Sequence, residues 1–222
     1  VLLCAFILVF RIQTTFVYPQ NPAPYFEPMI IDSSRSLFGS ASIPLITDFE
    51  KDGQSEIVTF SVAKSTIVQP ITMLHVLDSK GNNYRNFPKG FDEVPLDFAS
   101  GDLDGNDYLE LVVRFNNKID ALDLNGNRMP GFPIEYITTG LDLISFVSLF
   151  DLDNDGKLEI IVSRKNEICV YNFNGTVRDN WPRRIPGFAR YNPAICDLDN
   201  DGNAELIFNT YKPVGNNIDS AA

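Results

Sequence analysis

The sequence predicts an all-β protein built from repeated units, and three observations support this prediction. An acidic segment of nine residues occurs four times, beginning at residues 48, 102, 151 and 197. A turn glycine follows each of the first three segments, and an aromatic-proline pair follows each glycine at a fixed spacing. The runs between these markers are short and rich in β-branched and aromatic residues, which favours strands over helices.

The acidic segments come first in each unit and read DFEKDGQSE, DLDGNDYLE, DLDNDGKLE and DLDNDGNAE. Each has oxygen-bearing side chains at positions 1, 3, 5 and 9, and together they hold 16 of the 29 Asp and Glu residues. Carboxylates crowded in this way repel one another unless a cation lies between them. The segments therefore predict four metal-binding loops.

Two predicted strands follow each loop. An apolar run predicts the first strand in all four units, and in the first three units a second run then leads to the turn glycine. The first strands are Ile57–Phe60, Leu111–Phe115, Ile160–Val162 and Leu206–Phe208. The second strands are Met73–Leu77, Lys118–Leu124 and Ile168–Phe173. These runs are too short for helices.

The turn glycines are Gly81, Gly126 and Gly175. Asn precedes the second and third of them, and Asn-Gly favours a type I′ hairpin turn. A proline lies seven residues after each glycine, in the pairs Phe87-Pro88, Phe132-Pro133 and Trp181-Pro182. The first unit has nine extra residues between its loop and its glycine, which predicts an insertion around residues 61–70.

The spacing of the units predicts how they are arranged. The loops begin 54, 49 and 46 residues apart, which is typical of propeller blades with four strands each. One sheet cannot bury both of its faces, whereas sheets placed around an axis can. We therefore predict a β-propeller of four-stranded blades, with about four blades visible in a truncated chain. The predicted blades are residues 37–91, 92–137, 138–187 and 188–222, the last one incomplete.

The segment before the first blade has two predicted parts. Residues 1–16 contain the apolar run VLLCAFILVF, which suits the core of a signal peptide and is too short to span a bilayer. We expect a signal peptide, with the stub of a membrane anchor or a buried strand as alternatives. Residues 17–36 are expected to be a linker or a closing strand.

Cysteine chemistry is restricted to Cys169 and Cys196 in the body of the chain, since Cys4 lies in the predicted leader. The two thiols either form one disulfide or stay free and buried, and we favour free thiols.

The loop chemistry fits calcium. Calcium takes about six to eight oxygen ligands, and side chains at positions 1, 3 and 5, the carbonyl of position 7 and the glutamate at position 9 can supply them. Donor sets without His or Cys favour calcium over transition metals. We predict about one Ca²⁺ per loop, up to four. The predicted ligands are Asp48, Glu50, Asp52, Gln54, Glu56, Asp102, Asp104, Asn106, Tyr108, Glu110, Asp151, Asp153, Asp155, Lys157, Glu159, Asp197, Asp199, Asp201, Asn203 and Glu205.

Two details of the loops refine this prediction. A glycine at position 6 permits the left-handed backbone of the turn, but Asp107 takes this position in the second loop, so we expect the second site to be the weakest. An EF-hand would need a glutamate at position 12 and flanking helices, whereas position 12 here falls in strand-like runs. The loops are therefore not EF-hands.

These motifs resemble the FG-GAP/VCBS-type repeats of integrin-α-like β-propellers. The resemblance covers about residues 37–222 and rests on the four loops, on Phe38-Gly39 and on the aromatic-proline spacers. It implies that the loops bind calcium structurally, between strands at the rim of each blade. The Gly-Ala-Pro of the family motif is missing, since Thr59-Phe60-Ser61 and Val162-Ser163-Arg164 stand in its place.

The leading functional hypothesis is a non-catalytic, calcium-stabilised extracellular or cell-surface module that binds a protein or a glycan in adhesion. The net charge of −11 argues against nucleic acid as a partner, and membrane anchoring through segments outside this chain stays open. The alternative is part of a secreted enzyme, such as a polysaccharide lyase or the accessory domain of a protease. His75, the only histidine, lies in a strand-like run, which favours a structural role over catalysis.

Overall fold

The computed structural model describes residues 8–10, 28–30, 44–66, 69–137, 146–189 and 191–211, which form strands and turns and contain no helix. Within these ranges, then, no helical segment could cross a membrane. In chain order the strands are β1 (Leu8–Phe10), β2 (Pro28–Ile30), β3 (Leu45–Thr47), β4 (Glu56–Thr66), β5 (Gln69–Leu77), β6 (Lys89–Phe91), β7 (Asp97–Gly101), β8 (Glu110–Arg114), β9 (Lys118–Leu122), β10 (Ile134–Glu135), β11 (Val147–Phe150), β12 (Glu159–Arg164), β13 (Glu167–Tyr171), β14 (Arg183–Arg184), β15 (Phe188–Ala189), β16 (Ala194–Cys196), β17 (Glu205–Ile207) and β18 (Thr210–Tyr211).

Three four-stranded antiparallel sheets form the body of the fold. Sheet 1 has the order β3-β4-β5-β6, sheet 2 the order β7-β8-β9-β10 and sheet 3 the order β11-β12-β13-β14. Each sheet is a meander whose strands follow one another in the chain, as the repeat pattern predicts. The second strand of sheets 2 and 3 is a β-branched and leucine-rich run that is almost entirely buried. The prediction of an all-β fold with repeated four-stranded sheets is confirmed.

The fourth unit has a different pairing in the described residues. Strands β16 and β17 form a two-stranded sheet around the fourth acidic loop. Strand β18 pairs with β15, which precedes the loop, instead of extending this sheet. The fourth unit is thus represented by the first hairpin of a sheet.

Hydrophobic clusters fill the spaces between successive sheets. The first cluster joins residues of sheets 1 and 2, such as Phe60 and Val113, and the second joins sheets 2 and 3 through residues such as Val112 and Ile160. The third joins sheet 3, including Ile161, to Leu206 and Phe208 in and after β17. Sheets 2 and 3 therefore each bury both of their faces, and sheet 1 packs against sheet 2 through one face.

The first strands of the sheets lie closest to one another. Strand β7 contacts both β3 and β11. Ser100 on β7 donates a hydrogen bond of 2.9 Å to the hydroxyl of Thr47 on β3, and the Val147 N–H donates one of 2.9 Å to Asp97. Four-stranded sheets that converge along their first strands are consistent with blades, and the described residues contain no closed ring.

The hairpin turns differ from the predicted type. Gly126 and Gly175 have φ of 72° and 82°, but Asn125 and Asn174 are not among the residues with positive φ, so the turns are not type I′. The Gly126 N–H donates to the Asp123 carbonyl, and the Asp123 N–H donates to the Asn127 carbonyl. This is a three-residue loop with a glycine bulge. The Asp123 side chain accepts the N–H groups of Asn125 and Asn127, which stabilises this loop.

Other predictions have mixed outcomes. Strands β4 and β5 are unusually long, so the extra residues of the first repeat extend this hairpin, with residues 67–68 outside the described ranges. Cys169 and Cys196 are free, as expected, but Cys196 is exposed. In the predicted leader and linker, β1 pairs with β2, and the remaining residues lie outside the described part, as does Phe38-Gly39.

Candidate metal centres

Each acidic loop connects the first two strands of its unit. The residue before position 1 pairs across the sheet with the glutamate at position 9, as in Gly101 with Glu110 and Phe150 with Glu159. The same pairing joins Thr47 to Glu56 and Cys196 to Glu205. The register of the hairpin therefore places position 9 next to position 1. This explains why the segment has the same length in all four units.

One network of hydrogen bonds recurs in all four loops. The aspartate at position 1 accepts the N–H groups of positions 5 and 6 through its two oxygens, at 2.8–3.1 Å. The side chain at position 5 accepts the N–H of position 7, and Oε2 of the glutamate at position 9 accepts the N–H of position 2. These contacts fold the backbone around the carboxylates.

The backbone turns left-handed at positions 4 and 6 of every loop. Position 6 is glycine in three loops, and Asp107 adopts φ of 72° at this position in the second. The second loop has its glycine, Gly105, at position 4, where the other loops place Lys51, Asn154 or Asn200 at positive φ. Each loop thus contains one glycine and one other residue in the strained region. Backbone strain at Asp107 therefore gives no reason to expect the second site to be the weakest.

In three loops the carboxylates of positions 1, 3 and 9 converge. Within each group, one oxygen of every carboxylate lies within 4.8 Å of the others. The groups are Asp102, Asp104 and Glu110; Asp151, Asp153 and Glu159; and Asp197, Asp199 and Glu205. Each set offers acidic oxygens from three directions to a hard cation. The position 5 side chains and the carbonyls of position 7 (Asp155, Lys157, Asp201 and Asn203 among them) stay predicted ligands.

The first loop differs from the other three. Its carboxylates Asp48, Glu50 and Glu56 are absent from the clusters found in the described residues. Glu50 instead forms an ion pair with Arg85. The longer side chain of glutamate at position 3 reaches this arginine beyond the turn glycine of the same sheet. A metal site at the first loop stays a prediction.

The second loop fits a metal ion best. Oδ1 of Asp104 is buried and has no hydrogen-bond partner. Burial, together with the charges of Asp104 and Asp102, raises the pKa of Glu110 to about 7, although the Leu103 N–H opposes this shift. A buried oxygen without a partner is costly, and a bound cation would satisfy it and favour the ionised form of Glu110. The oxygens of this cluster therefore suit calcium.

Basic side chains from outside the second and third loops contact the carboxylates of these loops, and the sequence analysis missed these contacts. Nζ of Lys51, in the first loop, is 3.4 Å from Oδ2 of Asp102 in the second. Nη1 of Arg178 is 3.0 Å from Oδ2 of Asp153 and 3.1 Å from Oε1 of Glu159. Alignment of the repeats in the sequence could have identified Arg178, because it lies at a fixed position, three residues after a turn glycine.

Consecutive loops are joined by backbone hydrogen bonds. The Leu109 N–H, at position 8 of the second loop, donates to the Phe49 carbonyl of the first at 3.1 Å. The Leu158 N–H of the third loop donates in the same way to the Leu103 carbonyl of the second at 3.2 Å. The first three loops therefore form a continuous row along one edge of the sheets.

His75 lies on β5, opposite Thr59 on β4. Its Nε2 is 3.0 Å from Oγ of Ser61 on the neighbouring strand, and both side chains are half-buried. This position within a hairpin agrees with a structural role.

Comparison with known proteins identifies the repeats. The family model described as FG-GAP-like repeat matches residues 102–162 and residues 151–208. No curated protein matches. Among solved structures, the V. cholerae biofilm matrix protein Bap1 is similar over 76% of this chain and 28% of its own, with 19% identity and a TM-score of 0.50. This likeness concerns the fold alone, and the chain spans less than a third of Bap1. The loops, the sheets and the family match together make this chain an FG-GAP-type repeat protein.

Proposed function

We propose that this protein is a calcium-binding β-propeller module that acts outside the cell as a non-catalytic scaffold for binding a protein or a glycan. The observation that carries the calcium part is the second loop, where three carboxylates converge around the buried, unpartnered Oδ1 of Asp104. The same backbone network and the same convergence recur in the third and fourth loops. Repetition in three places favours a common ligand over chance crowding.

The propeller part rests on how the sheets pack. Sheets 2 and 3 bury both faces, and the three sheets converge along β3, β7 and β11. Repetition of this packing around an axis would protect the edges of the sheets. Bound calcium would then hold the row of loops that the Leu109 and Leu158 N–H groups already connect. A rigid row of loops is a suitable support for a binding surface.

The extracellular location and the adhesive role are proposed from the comparisons with known proteins. FG-GAP-like repeats match the chain, and a biofilm matrix protein shares its fold over 28% of that protein's length. The acidity is concentrated in the loops, which suits metal binding more than nucleic-acid binding. The hairpin position of His75 supports a non-catalytic role over the enzyme alternative.

The calcium proposal is tested by thermal melts of the full chain in millimolar calcium, in magnesium and in EGTA. Calcium at about 100 times its dissociation constant stabilises a protein by about 2.7 kcal/mol per site. We expect a rise in Tm that is selective for calcium and smaller in the Asp104→Asn variant. Ser79→Ala, at an exposed turn position outside the loops, is the matched control. Equal melts in calcium and EGTA would contradict the proposal.

The scaffold proposal is tested separately, because calcium binding alone does not establish a partner. The labelled full chain is applied to a glycan array and to intact cells in calcium and in EGTA. We expect binding that EGTA weakens, since the loops order the surface that carries the contact. Retained activity on a polyuronate substrate, measured by the formation of unsaturated products, would favour the lyase alternative.

A further inference from the structure

Arg178 lies against the third acidic loop, although it belongs to the segment between β13 and β14. Its Nη1 is 3.0 Å from Oδ2 of Asp153 and 3.1 Å from Oε1 of Glu159. The other oxygen of Glu159 is already the acceptor of the Leu152 N–H. The guanidinium therefore forms ion pairs with two of the three carboxylates in this cluster. One of its contacts is Oε1 of Glu159, which accepts no hydrogen bond from the loop backbone.

The second loop has an uncharged residue at the corresponding place. Arg178 and Met129 each follow their turn glycine by three residues. The Arg178 N–H donates to the Val170 carbonyl and the Met129 N–H donates to the Ala121 carbonyl, both at 2.9 Å, so the two positions are equivalent in the repeats. Only the side chain differs between them.

The cations around the two clusters differ accordingly. In the described residues, the second cluster has one ion pair, between Lys51 and Asp102 at 3.4 Å. The lysine side chain is 47% exposed. Asp104, with its unpartnered Oδ1, and Glu110 have no ion pair in this part of the structure. The Arg178 side chain is 25% exposed and makes two shorter contacts. Charge-assisted bonds of this kind are the stronger ones, so the third cluster is the more fully neutralised.

We propose that Arg178 is a built-in competitor for calcium at the third loop. In the metal-free protein its guanidinium holds Asp153 and Glu159, and calcium binds there only as this contact breaks. The second loop, with Met129 at the equivalent position, then binds calcium more tightly than the third. This order is the reverse of the one that the loop sequences predict, and the inference rests on the proposed calcium function.

The test uses the full chain labelled with ¹⁵N and titrated with calcium chloride. The amide of Gly105 reports the second loop and the amide of Gly156 reports the third. In the unsubstituted chain we expect the third loop to bind roughly tenfold more weakly, which corresponds to losing one charge-assisted contact. Arg178→Met, which installs the residue of the second repeat, should strengthen binding at Gly156 about tenfold and leave Gly105 unchanged.

Two further variants separate competition from a merely structural role. Met129→Arg should weaken binding at Gly105, and Arg178→Lys, which keeps the charge but loses the planar fork, should give an intermediate affinity at Gly156. Arg178→Met should lower Tm in EGTA but not in saturating calcium, where the contact is already broken. A structural role would lower both melts alike and leave the affinities unchanged.

The outcomes distinguish this inference from the proposed function. If neither Gly105 nor Gly156 responds to calcium in the unsubstituted chain, both the proposed function and the inference fail. If both respond but Arg178→Met leaves the Gly156 midpoint unchanged, only the inference fails. If the amide spectrum shows that Arg178→Met does not fold, Arg178→Lys and Met129→Arg provide the test. Their calcium titration midpoints at Gly156 and Gly105 are compared with those of the unsubstituted chain. Unchanged midpoints overturn the inference.

Discussion

The third and fourth acidic loops have almost the same sequence but different surroundings. They read DLDNDGKLE and DLDNDGNAE, and they differ only at positions 7 and 8. Both fold through the same hydrogen bonds from position 1 to positions 5 and 6, and both bring three carboxylates together. Local sequence is therefore sufficient to shape the loop.

The surroundings come from the rest of the fold. The third loop belongs to a four-stranded sheet, buries Glu159 and contacts the second loop through the Leu158 N–H. The fourth loop joins only β16 and β17, and Leu198 at its position 2 is 67% exposed. The comparison shows that two loops with the same ligand residues can differ in burial and in their charged neighbours. These surroundings set the affinity of each loop for a cation.

The largest expected difference concerns the apolar residue after each glutamate. Ile160 is fully buried between sheets 2 and 3, whereas its equivalent Leu206 is only partly buried. Ile160→Ala should cost about 2–5 kcal/mol of the free energy of unfolding, and Leu206→Ala clearly less, because a cavity forms only where neighbours surround the side chain. Urea denaturation in EGTA measures both. Equal losses would show that the fourth unit is packed as well as the third.

A smaller difference is expected for the glutamates themselves. Oε2 of Glu159 accepts the Leu152 N–H inside the sheet, while Oε2 of Glu205 accepts the Leu198 N–H near solvent. Glu159→Ala in EGTA should cost about 1–3 kcal/mol, because the half-buried Leu152 N–H loses its acceptor. Glu205→Ala should cost less, since water can replace the carboxylate. A larger loss in Glu205→Ala would contradict this comparison.

The smallest difference concerns position 3. Asp153 pairs with Arg178, and no ion pair contacts Asp199 in the described part of the chain. Asp153→Asn in EGTA should lower the free energy of unfolding by about 0.5 kcal/mol, the usual size for a partly exposed pair. Asp199→Asn should not lower it, because this variant loses no ion pair and removes one of three crowded carboxylates. The difference between the variants should shrink in about 1 M salt, which screens exposed charges. A difference that salt does not reduce would argue against the ion pair as its cause.

Some predictions followed from short segments alone and were confirmed. The strands after the loops, the turn glycines and the convergence of position 9 on position 1 all depend on residues within one hairpin. The fold class followed because β-branched runs and turn residues recur in register. These features are decided by backbone conformation and by hydrogen bonds between near neighbours in the sequence.

Other features needed the folded chain. The Asn-Gly pairs alone predicted type I′ turns, but the Asp123 carboxylate stabilises a three-residue loop instead. The loop sequence alone did not reveal that Arg85 pairs with Glu50, which stays a predicted ligand. The weak second site was expected from Asp107, but Gly105 supplies the second left-handed position with little strain. In each case the deciding group lies outside the motif or at a position that the motif leaves open.

The sequence by itself determined where the loops lie, which oxygens they contain and which strands flank them, because these depend on contacts within about ten residues. Only the tertiary structure decided which carboxylates face Arg178 or Lys51, and which loops are joined by the Leu109 and Leu158 N–H groups. The physical reason is that these partners come from another strand or another sheet, where packing, rather than spacing along the chain, sets the distance between charges.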